Sequence, residues 1–227
     1  MRFNGKKVAV TGAAGNLGQA VATAFLAEGA TAILIDRVKA SIDGAVPDST
    51  TALVVDLTDA QATRAAFDNL GPVDVLCNVA GGFDMGTPVA ELEVEQWERM
   101  FDINARTAIN ASRAAIPGMV GNGGGAIVNV SAKAALAGGA TMAPYSASKS
   151  VVIRLTESMA AELKSQRINV NCVLPTALNT PENRAAMPNA DASKWVDPSD
   201  LAAVILFLAS PAARAVHGAA IPVSGLS

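Results

Sequence analysis

Two side chains that could exchange a proton together, Tyr145 and Lys149, lie four residues apart in the sequence. In a helix this spacing places both side chains on one face, one turn apart. A phenol has an unperturbed pKa of about 10 and is a poor acid–base group at neutral pH, but a nearby fixed positive charge lowers that pKa. Such pairs also occur in helices for structural reasons alone, so the pair predicts an acid–base centre only where other site residues accompany it.

A glycine-rich turn supplies a second kind of chemistry, the binding of phosphate groups. Gly12, Gly15 and Gly18 lie between an apolar run and an amphipathic one, as in a strand–turn–helix unit. Glycines at these positions permit a tight turn and let backbone N–H groups approach a pyrophosphate at the start of the helix. The turn therefore predicts a dinucleotide site.

The residue that would select the dinucleotide is Asp36, at the end of the second predicted strand. A carboxylate at this position accepts hydrogen bonds from the adenosine ribose and repels a 2′-phosphate, which favours NAD(H) as the cofactor. Arg37 and Lys39 lie close behind, and either could reach a 2′-phosphate, so NADP(H) remains an alternative. The other reading of Asp36 is a solvated acid at a strand end.

The elements that could position these residues follow from the hydrophobic pattern, in which short apolar runs alternate with longer amphipathic ones. Strands buried on both faces are nearly continuously apolar, and such runs occur at Lys7–Val10, Ala32–Ile35, Ala52–Val55, Val73–Cys77, Ala126–Val130, Asn169–Leu174 and Ala220–Val223. The longer runs predict helices at Asn16–Glu28, Asp59–Asn69, Val94–Met119, Pro144–Ser165 and Pro198–Ala209. The alternation predicts an α/β fold in one domain over residues 1–227, a Rossmann-type doubly wound parallel sheet of about seven strands with helices on both faces.

The position of a ligand site follows from this topology. Doubly wound sheets bind ligands beyond the carboxyl ends of their strands, where the strand order reverses. The stretch Thr176–Asp197 follows such a strand end and is rich in Pro, Asn and Ala without a clear period. It predicts a loop that covers the substrate, with a loosely packed surface excursion as the alternative.

Composition limits the expected partners of the chain. Hydrophobic residues make up 51% of its 227 residues and charged residues 16%, which argues against intrinsic disorder. The formal net charge is −3 and no basic run occurs, so we expect neither nucleic acid nor an anionic membrane as a partner. The longest strongly apolar run, Leu201–Ala209, is too short to span a bilayer, and no leader-like segment is present, so we expect a cytoplasmic protein.

Few residues could hold a metal or form a disulfide. His217 is the single histidine, so we expect no metal site and no Ser-His-Asp triad. Cys77 and Cys172 lie in two predicted central strands with one strand expected between them, a separation beyond the reach of a disulfide. We expect both to be packed thiols, and the partners of the chain to be a small-molecule substrate and further copies of itself.

Together with Asn104 and the segment Asn78–Gly81, these residues resemble the short-chain dehydrogenase/reductase (SDR) family over essentially the whole chain. The resemblance implies that Tyr145 gives or takes the substrate proton, that Lys149 binds the nicotinamide ribose and lowers the pKa of the tyrosine, and that Asn104 holds a water that relays protons. It also implies homodimers or homotetramers that form through the two long helices. The cofactor contacts that it implies, besides Lys149, are Gly12, Gly15, Asn16, Leu17, Gly18, Asp36, Asp56, Leu57, Asn78, Ala80, Gly81, Pro175, Leu178 and Thr180.

The largest departure from the family's common pattern concerns a serine that polarises the substrate carbonyl. In the family this serine lies thirteen residues before the tyrosine, and the corresponding residue here is Ala132, which has no hydroxyl. Ser131 is adjacent, but successive side chains of a strand point to opposite sides, so Ser131 could substitute only if a bulge or bend turned it. A second departure is Thr176, which follows Pro175 where the family has glycine.

One branch of the family, the dihydropteridine reductases, dispenses with that serine. Segments of this sequence similar to that branch are Val79–Gly82, Ala132–Leu136, Leu174–Pro175, Thr180–Pro181, Asn183–Arg184, Met187–Pro188, Ala190–Asp191 and Trp195. The resemblance implies reduction of a quinonoid dihydropterin by NADH. Such a ring is already electron-poor, so it needs less stabilisation of an oxyanion. Asn104 and the segment Tyr145–Lys149 look like the general family instead, which leaves a different flat substrate open.

Three functions are consistent with these residues. The favoured one is an NAD(H)-dependent oxidoreductase that acts on a quinonoid or otherwise activated acceptor, with the tyrosine as general acid or base. The second is an alcohol dehydrogenase or ketoreductase of the same family, in which Ser131 or Thr141 supplies the missing hydrogen bond. The third, of another class, is a sensor that binds NAD without turnover, suggested by Ala132 together with Thr176.

Overall fold

The computed structural model describes residues 1–40 and 48–226, within which seven strands form one parallel sheet. The strands are β1 (Lys7–Thr11), β2 (Thr31–Asp36), β3 (Thr50–Val54), β4 (Val75–Asn78), β5 (Gly125–Val130), β6 (Ile168–Pro175) and β7 (Ala220–Val223). Every neighbouring pair runs parallel, in the order β3-β2-β1-β4-β5-β6-β7. The order reverses between β1 and β4, which confirms the predicted doubly wound topology and creates the crevice expected there.

Helices cover both faces of the sheet. They are α1 (Asn16–Ala27), α2 (Ala60–Leu70), α3 (Val94–Phe101), α4 (Thr107–Gly121), α5 (Ala143–Leu163), α6 (Pro181–Ala186) and α7 (Pro198–Ala209). Phe25 of α1 and Ile205 of α7 pack in the apolar core on one face of the sheet. Phe67 of α2, Met119 of α4 and Leu163 of α5 pack in the core on the other face. The two cores together explain why the central strands are continuously apolar.

The strands lie close to their predicted positions because their apolar runs have clear ends. The exception in burial is β3, an edge strand that is only partly buried and begins at Thr50 rather than at the predicted Ala52. Cys77 and Cys172 are buried free thiols with β5 between their strands, as predicted. Among the helices of residues 1–40 and 48–226, none combines the length and apolar surface that a bilayer span requires.

Two predicted segments differ from the structure. The segment predicted as one helix, Val94–Met119, is divided by a π-helical turn at Asp102–Arg106, which separates α3 from α4. A π turn takes up one residue more than an α turn, and the apolar spacing on either side does not reveal it. The predicted loop Thr176–Asp197 contains the short helix α6, whose first residue is a proline preceded by the capping Thr180.

The parallel sheet brings the predicted site residues to one edge. Gly12 follows β1, Asp36 ends β2, Asn78 ends β4, Ser131 follows β5 and Pro175 ends β6. Residues that are far apart in the sequence therefore meet at the carboxyl ends of neighbouring strands.

Candidate active site

A cleft of about 940 Å³ opens at the carboxyl ends of the strands. Its walls come from the segments that follow β1, β2, β4, β5 and β6, and from the first turns of α5. Two of the predicted site residues, Asn78 and Asn104, do not line it. Those that line it are Gly12, Gly15, Asn16, Leu17, Gly18, Asp36, Asp56, Leu57, Ala80, Gly81, Ser131, Tyr145, Lys149, Pro175, Leu178 and Thr180.

The glycine turn between β1 and α1 is packed too tightly for side chains. Gly12 has a φ of 65°, and a Cβ built on it would lie 2.8 Å from the Ala80 backbone. A Cβ built on Gly18 would lie 2.1 Å from the carbonyl oxygen of Gly12. No side chain caps the N-terminus of α1 after Gly15, so the N–H groups of its first turn are available to an anion in the cleft. The turn fits a pyrophosphate.

Two carboxylates lie at the end of the cleft formed by β2 and β3. Asp36 accepts hydrogen bonds from the backbone N–H of Ala14 at 3.0 Å and of Arg37 at 2.8 Å, which fixes its carboxylate against the glycine turn. Asp56 accepts from the backbone N–H of Thr58 at 2.9 Å and from its hydroxyl at 2.7 Å. These hydrogen bonds hold the pKa of Asp56 below its ordinary value, so it is ionised at neutral pH.

Tyr145 lies in the first turn of α5. Pro144, the residue before it, suits this turn because the N–H groups of a first turn have no partner within the helix and proline has no N–H. Its ring packs edge-on against Phe83, with the ring centroids 4.8 Å apart. Burial raises the pKa of Tyr145 to about 12. The sequence led us to expect a pKa lowered by Lys149, but in this cleft burial governs the value. The phenol is therefore neutral at pH 7 and can donate a proton.

Lys149 lies one helical turn further along α5 and is only 5% exposed. Its Nζ donates a hydrogen bond to the carbonyl oxygen of Val130, at the end of β5, over 3.0 Å. Burial lowers the pKa of the amine to about 8, so at pH 7 it still carries its proton. A Cβ built on Gly81 would lie 2.9 Å from Nζ, so the segment after β4 passes directly beside the amine.

Asn104 lies in the π turn and joins the segment after β4 to α5. Its Oδ1 accepts a hydrogen bond from the N–H of Gly82 at 2.9 Å, and its Nδ2 donates to the Gly82 carbonyl oxygen at 3.1 Å. Nδ2 also donates to the hydroxyl oxygen of Ser148 at 3.1 Å. The Ser148 hydroxyl in turn donates to the backbone carbonyl oxygen of Tyr145 at 2.9 Å. Asn104 thus connects the cleft wall to the turn that carries the tyrosine.

The strand end that carries the serine in the family offers no free hydroxyl proton. Ala132 lines the cleft at the family's serine position and is buried. Ser131 also lines the cleft, but its hydroxyl donates to the backbone carbonyl oxygen of Lys149 over 2.7 Å. Its proton is therefore engaged by α5.

Asn78 lies behind the cleft in a buried polar network. Its Nδ2 donates to the hydroxyl oxygen of Ser112 at 3.0 Å and to Oδ1 of Asn129 at 2.8 Å. Asn129 continues the network with a hydrogen bond from its Nδ2 to the hydroxyl of Thr156 at 2.8 Å. The structure thus places the Asn78 side chain between β4, β5 and the helices that cover them.

Several cleft residues were not predicted from the sequence. They are Phe83, Arg99, Ile103 and Met142. No motif marks them, because the residue type alone does not show whether a side chain in a loop or helix faces a cleft or solvent. Only the tertiary structure brings them together.

The segment after Gly82 that carries Phe83 is held in place by polar contacts. Asp84 pairs with Arg99 and accepts a hydrogen bond from Gln96 at 3.2 Å, both from α3. The N–H of Gly86 donates to the carbonyl oxygen of Thr141 at 3.0 Å, just before α5. Phe83 is therefore fixed between α3 and the start of α5.

A further contact joins the glycine turn to the segment predicted to cover the substrate. Nδ2 of Asn16, the first residue of α1, donates to the carboxylate of Glu182 at 2.7 Å. Thr180 caps α6 by accepting a hydrogen bond from the N–H of Asn183 at 3.3 Å. Leu178, Thr180 and Asn183 line the cleft, so α6 and the residues before it form part of its wall.

Comparison with known families agrees with this geometry. A family model described as "short chain dehydrogenase" matches residues 6–191. The chain belongs to the short-chain dehydrogenase family. As a member of this family it is an oxidoreductase that uses a nicotinamide dinucleotide, NAD or NADP, and a small-molecule substrate.

Named relatives of this dehydrogenase cover nearly all of its length. An L-xylulose reductase from Bos taurus is 32% identical and covers 99% of this chain, with 97% of the relative covered. A galactitol 2-dehydrogenase (L-tagatose-forming) from Cereibacter sphaeroides is 35% identical, with 99% of this chain and 95% of the relative covered. A solved structure from Beutenbergia cavernae is 28% identical to this chain, with a TM-score of 0.88. The match covers 99% of this chain and 98% of that one. That structure is provisionally assigned as an NAD(P)-dependent gluconate 5-dehydrogenase and holds NADP at low occupancy.

Proposed function

We propose that this short-chain dehydrogenase is an NAD(H)-dependent reductase of a flat, electron-poor acceptor, with a quinonoid dihydropteridine as the candidate substrate. The observation that carries the proposal is Ala132, combined with the engagement of the Ser131 hydroxyl by Lys149. Loss of one donor to a developing oxyanion costs about 2.7 to 4 kcal/mol of barrier in other enzymes. A conjugated acceptor spreads the incoming charge over its ring system and depends less on such a donor.

Tyr145 acts as the general acid in the proposed reaction. Its pKa of about 12 keeps the phenol protonated at neutral pH, and its position in the first turn of α5 places the hydroxyl at the cleft. The Lys149 amine, charged at pH 7, favours the phenolate that remains after the proton has left. Asn104 holds the backbone of this turn through Ser148 and acts as a positioning residue.

The chain's own residues suit a dinucleotide. The uncapped first turn of α1 would bind the pyrophosphate, and Asp36 would bind the adenosine ribose. Asp56, Leu57, Ala80, Gly81, Pro175, Leu178 and Thr180 would line the remainder. A bound nicotinamide cofactor supplies the hydride. Asp36 supports NAD(H), whereas Arg37, which also lines the cleft, supports use of NADP(H) as the alternative.

The wall beside Tyr145 supports a planar, largely apolar acceptor. Phe83 presents an exposed ring whose edge-on packing against Tyr145 leaves a flat aromatic surface at the cleft. Met142 and Met187 add flexible apolar side chains, which adapt to a conjugated ring. Aromatic rings stack favourably on such surfaces.

A second candidate is reduction of a sugar ketone or oxidation of a polyol. The names of the two relatives, L-xylulose reductase and galactitol 2-dehydrogenase, favour it. In that case the hydrogen bond to the carbonyl would come from Ser131, after its hydroxyl is released from the backbone carbonyl oxygen of Lys149. Thr141, the other donor expected from the sequence, has a φ of 57° and does not line the cleft.

Steady-state kinetics with NADH and NADPH, with quinonoid dihydropterin and L-xylulose as acceptors, would test these candidates. We expect turnover of the pterin with NADH and a loss of kcat of at least a hundredfold in Tyr145→Phe, the range typical of general acids. The same turnover number in Tyr145→Phe would refute the role of the phenol. Turnover of the sugar alone, abolished in Ser131→Ala, would favour the second candidate. Cofactor binding by calorimetry without any turnover would favour a sensor.

We further propose a cytoplasmic homodimer or homotetramer. The two long helices that the family resemblance places at the interface, α4 and α5, bury part of their apolar surface within the chain, at Ala108, Ala115 and Val152. Ile109 on α4 is 39% exposed and Phe207 on α7 is 42% exposed, and both need a partner to be buried. Sedimentation at micromolar concentration should show a dimer or larger species, and a monomer would contradict the proposal.

A further inference from the structure

A second cavity, of about 570 Å³, opens at the opposite edge of the sheet from the active site. Four neighbouring strands begin at it. Lys6, Asp74, Gly124 and Arg167, which immediately precede β1, β4, β5 and β6, all line this basal cavity. Amino ends of parallel strands lie opposite their carboxyl ends, so the basal cavity and the catalytic cleft are separated by the length of the strands. The proposed reaction does not use it.

Positive charge distinguishes the basal cavity. Among the residues that the structure describes, a single acid, Asp74, lines it. The cationic residues that line it are Arg2, Lys6, Lys164, Arg167 and Arg214. The chain as a whole has a formal net charge of −3, so this concentration of cations runs against its overall balance. Clustered charge in a concave surface raises the local concentration of oppositely charged ligands.

Part of this charge is compensated and part is not. Asp74 pairs with Lys6, with Nζ and Oδ1 2.8 Å apart. Arg2 pairs with Glu28, which does not line the cavity. Within residues 1–40 and 48–226, the lining cations without an ion pair are Lys164, Arg167 and Arg214.

The backbone of Arg167 adopts an unusual conformation at the edge of the basal cavity. It has a φ of 59° and a ψ of 29°, the left-handed conformation that favours glycine or asparagine at the end of a helix. The conformation is held because the Arg167 carbonyl oxygen accepts a hydrogen bond from the N–H of Gly125 at 3.2 Å. A Cβ built on Gly124 would lie 2.6 Å from the same oxygen. A cationic residue therefore lines the cavity from a backbone position that favours glycine or asparagine.

We propose that the basal cavity binds a small anion that carries two or more linked phosphate groups. Guanidinium groups bind phosphate through two parallel hydrogen bonds, and an ammonium adds a point charge. Three cations without an ion pair match a polyvalent anion, whereas a monovalent one would leave charge uncompensated. The same chemistry is present in inorganic polyphosphates and in the phosphate chain of a nucleotide.

Calorimetric titration of the full chain with tripolyphosphate and with ATP, at low ionic strength, would test the proposal. Arg167→Asn removes the charge and keeps the backbone conformation, because asparagine tolerates it. Lys164→Ala with Arg214→Ala removes the other two cations. We expect about tenfold weaker binding or more for each variant, since a charged hydrogen bond contributes more than 1.4 kcal/mol. Arg64→Ala, which removes an exposed cation outside the cavity, should bind as the wild type does.

The catalytic cleft could also bind phosphate chains, and the same variants distinguish the two sites. If binding takes place only in the cleft, the affinities of the basal variants equal that of the wild type, and the proposal is overturned. Absence of binding to both probes also overturns it. If the basal variants weaken the binding of ATP more than that of tripolyphosphate, the ligand is a nucleotide, and if they weaken both equally it is a free polyphosphate. Arg167→Asn should leave the steady-state activity unchanged, which confirms that the site is separate.

Discussion

Replacement of Lys149 by methionine should reveal how much the buried ammonium group of this lysine lowers the free energy of unfolding. The amine is 5% exposed, and burial lowers its pKa from the ordinary 10.5 to about 8. The unfolded chain therefore holds a proton on this amine up to about pH 10.5, but the folded chain only up to about pH 8. Between these values the unfolded state binds more protons, so the free energy of unfolding rises with pH.

The size of this effect follows from the two pKa values. A difference of about 2.5 in pKa corresponds to about 3 kcal/mol in the free energy of unfolding. The buried charged amine lowers the stability of the wild type by this amount at pH 7, and the penalty is gone once the pH passes 10.5, where the amine is neutral in both states. Between pH 7 and pH 9.5 the recovery is about 2 kcal/mol. Methionine carries no proton, so Lys149→Met should lack this rise. The lost hydrogen bond to Val130 changes the stability at every pH equally and does not affect the slope.

Urea unfolding of both proteins at pH 7, 8, 9 and 9.5 measures the difference. Tyr145, Cys77 and Cys172, whose pKa values burial raises, lower the free energy of unfolding over the same range and offset much of the lysine's contribution in the wild type. They act equally in both proteins, so the free energy of unfolding of the wild type should gain about 2 kcal/mol relative to that of Lys149→Met between pH 7 and pH 9.5. Lys194→Met, which removes an exposed lysine, should keep the pH dependence of the wild type. The same pH dependence in Lys149→Met as in the wild type would refute the reasoning. The variant should also lose activity, whatever its stability.

Three further predictions concern the glycine turn, the π turn and the cofactor. Gly18→Ala should lower the free energy of unfolding by more than about 2 kcal/mol, because the added carbon would lie 2.1 Å from a backbone oxygen. Gly138 has open space around it, so Gly138→Ala should change the free energy of unfolding by less than about 0.5 kcal/mol. Urea unfolding of both variants measures the two changes. Asn104→Ala should lower the free energy of unfolding by about 2 kcal/mol and lower kcat as well. A normal kcat would show that the turn that carries Tyr145 is positioned without the Asn104 side chain. Asp36→Ala should raise the ratio of NADPH to NADH turnover by about tenfold, equivalent to about 1.4 kcal/mol; a constant ratio in competition assays would show that another residue selects the cofactor.

Much of this architecture could be predicted because the signals are local. The central strands are apolar without interruption, and the glycine turn, Asp36, Tyr145 and Lys149 each follow or begin an element whose position the pattern fixes. The parallel topology then assembles them at one edge without further information. This is why sixteen of the predicted site residues line the cleft, counting those named above.

What could not be predicted depends on tertiary neighbours. The direction of the pKa change at Tyr145 required knowledge of its burial, which raises the pKa of the phenol. The Ser131 hydroxyl could have faced the cleft or α5, and only the structure shows that it bonds to Lys149. The apolar wall around Phe83 has no motif, since its position depends on Asp84 pairing with a helix fifteen residues away.

The π turn at Asp102–Arg106 has a consequence for chains that differ in length. Removal of one residue there would let the helix continue as regular α structure, with no loss of backbone hydrogen bonding. Because the π turn takes up the extra residue, such a deletion would leave α3 in nearly the same orientation relative to α4. Arg99 would therefore stay in the cleft wall. A change of one residue in length at this point is thus absorbed within the turn that carries Asn104, while α3, α4 and every strand of the sheet stay in place.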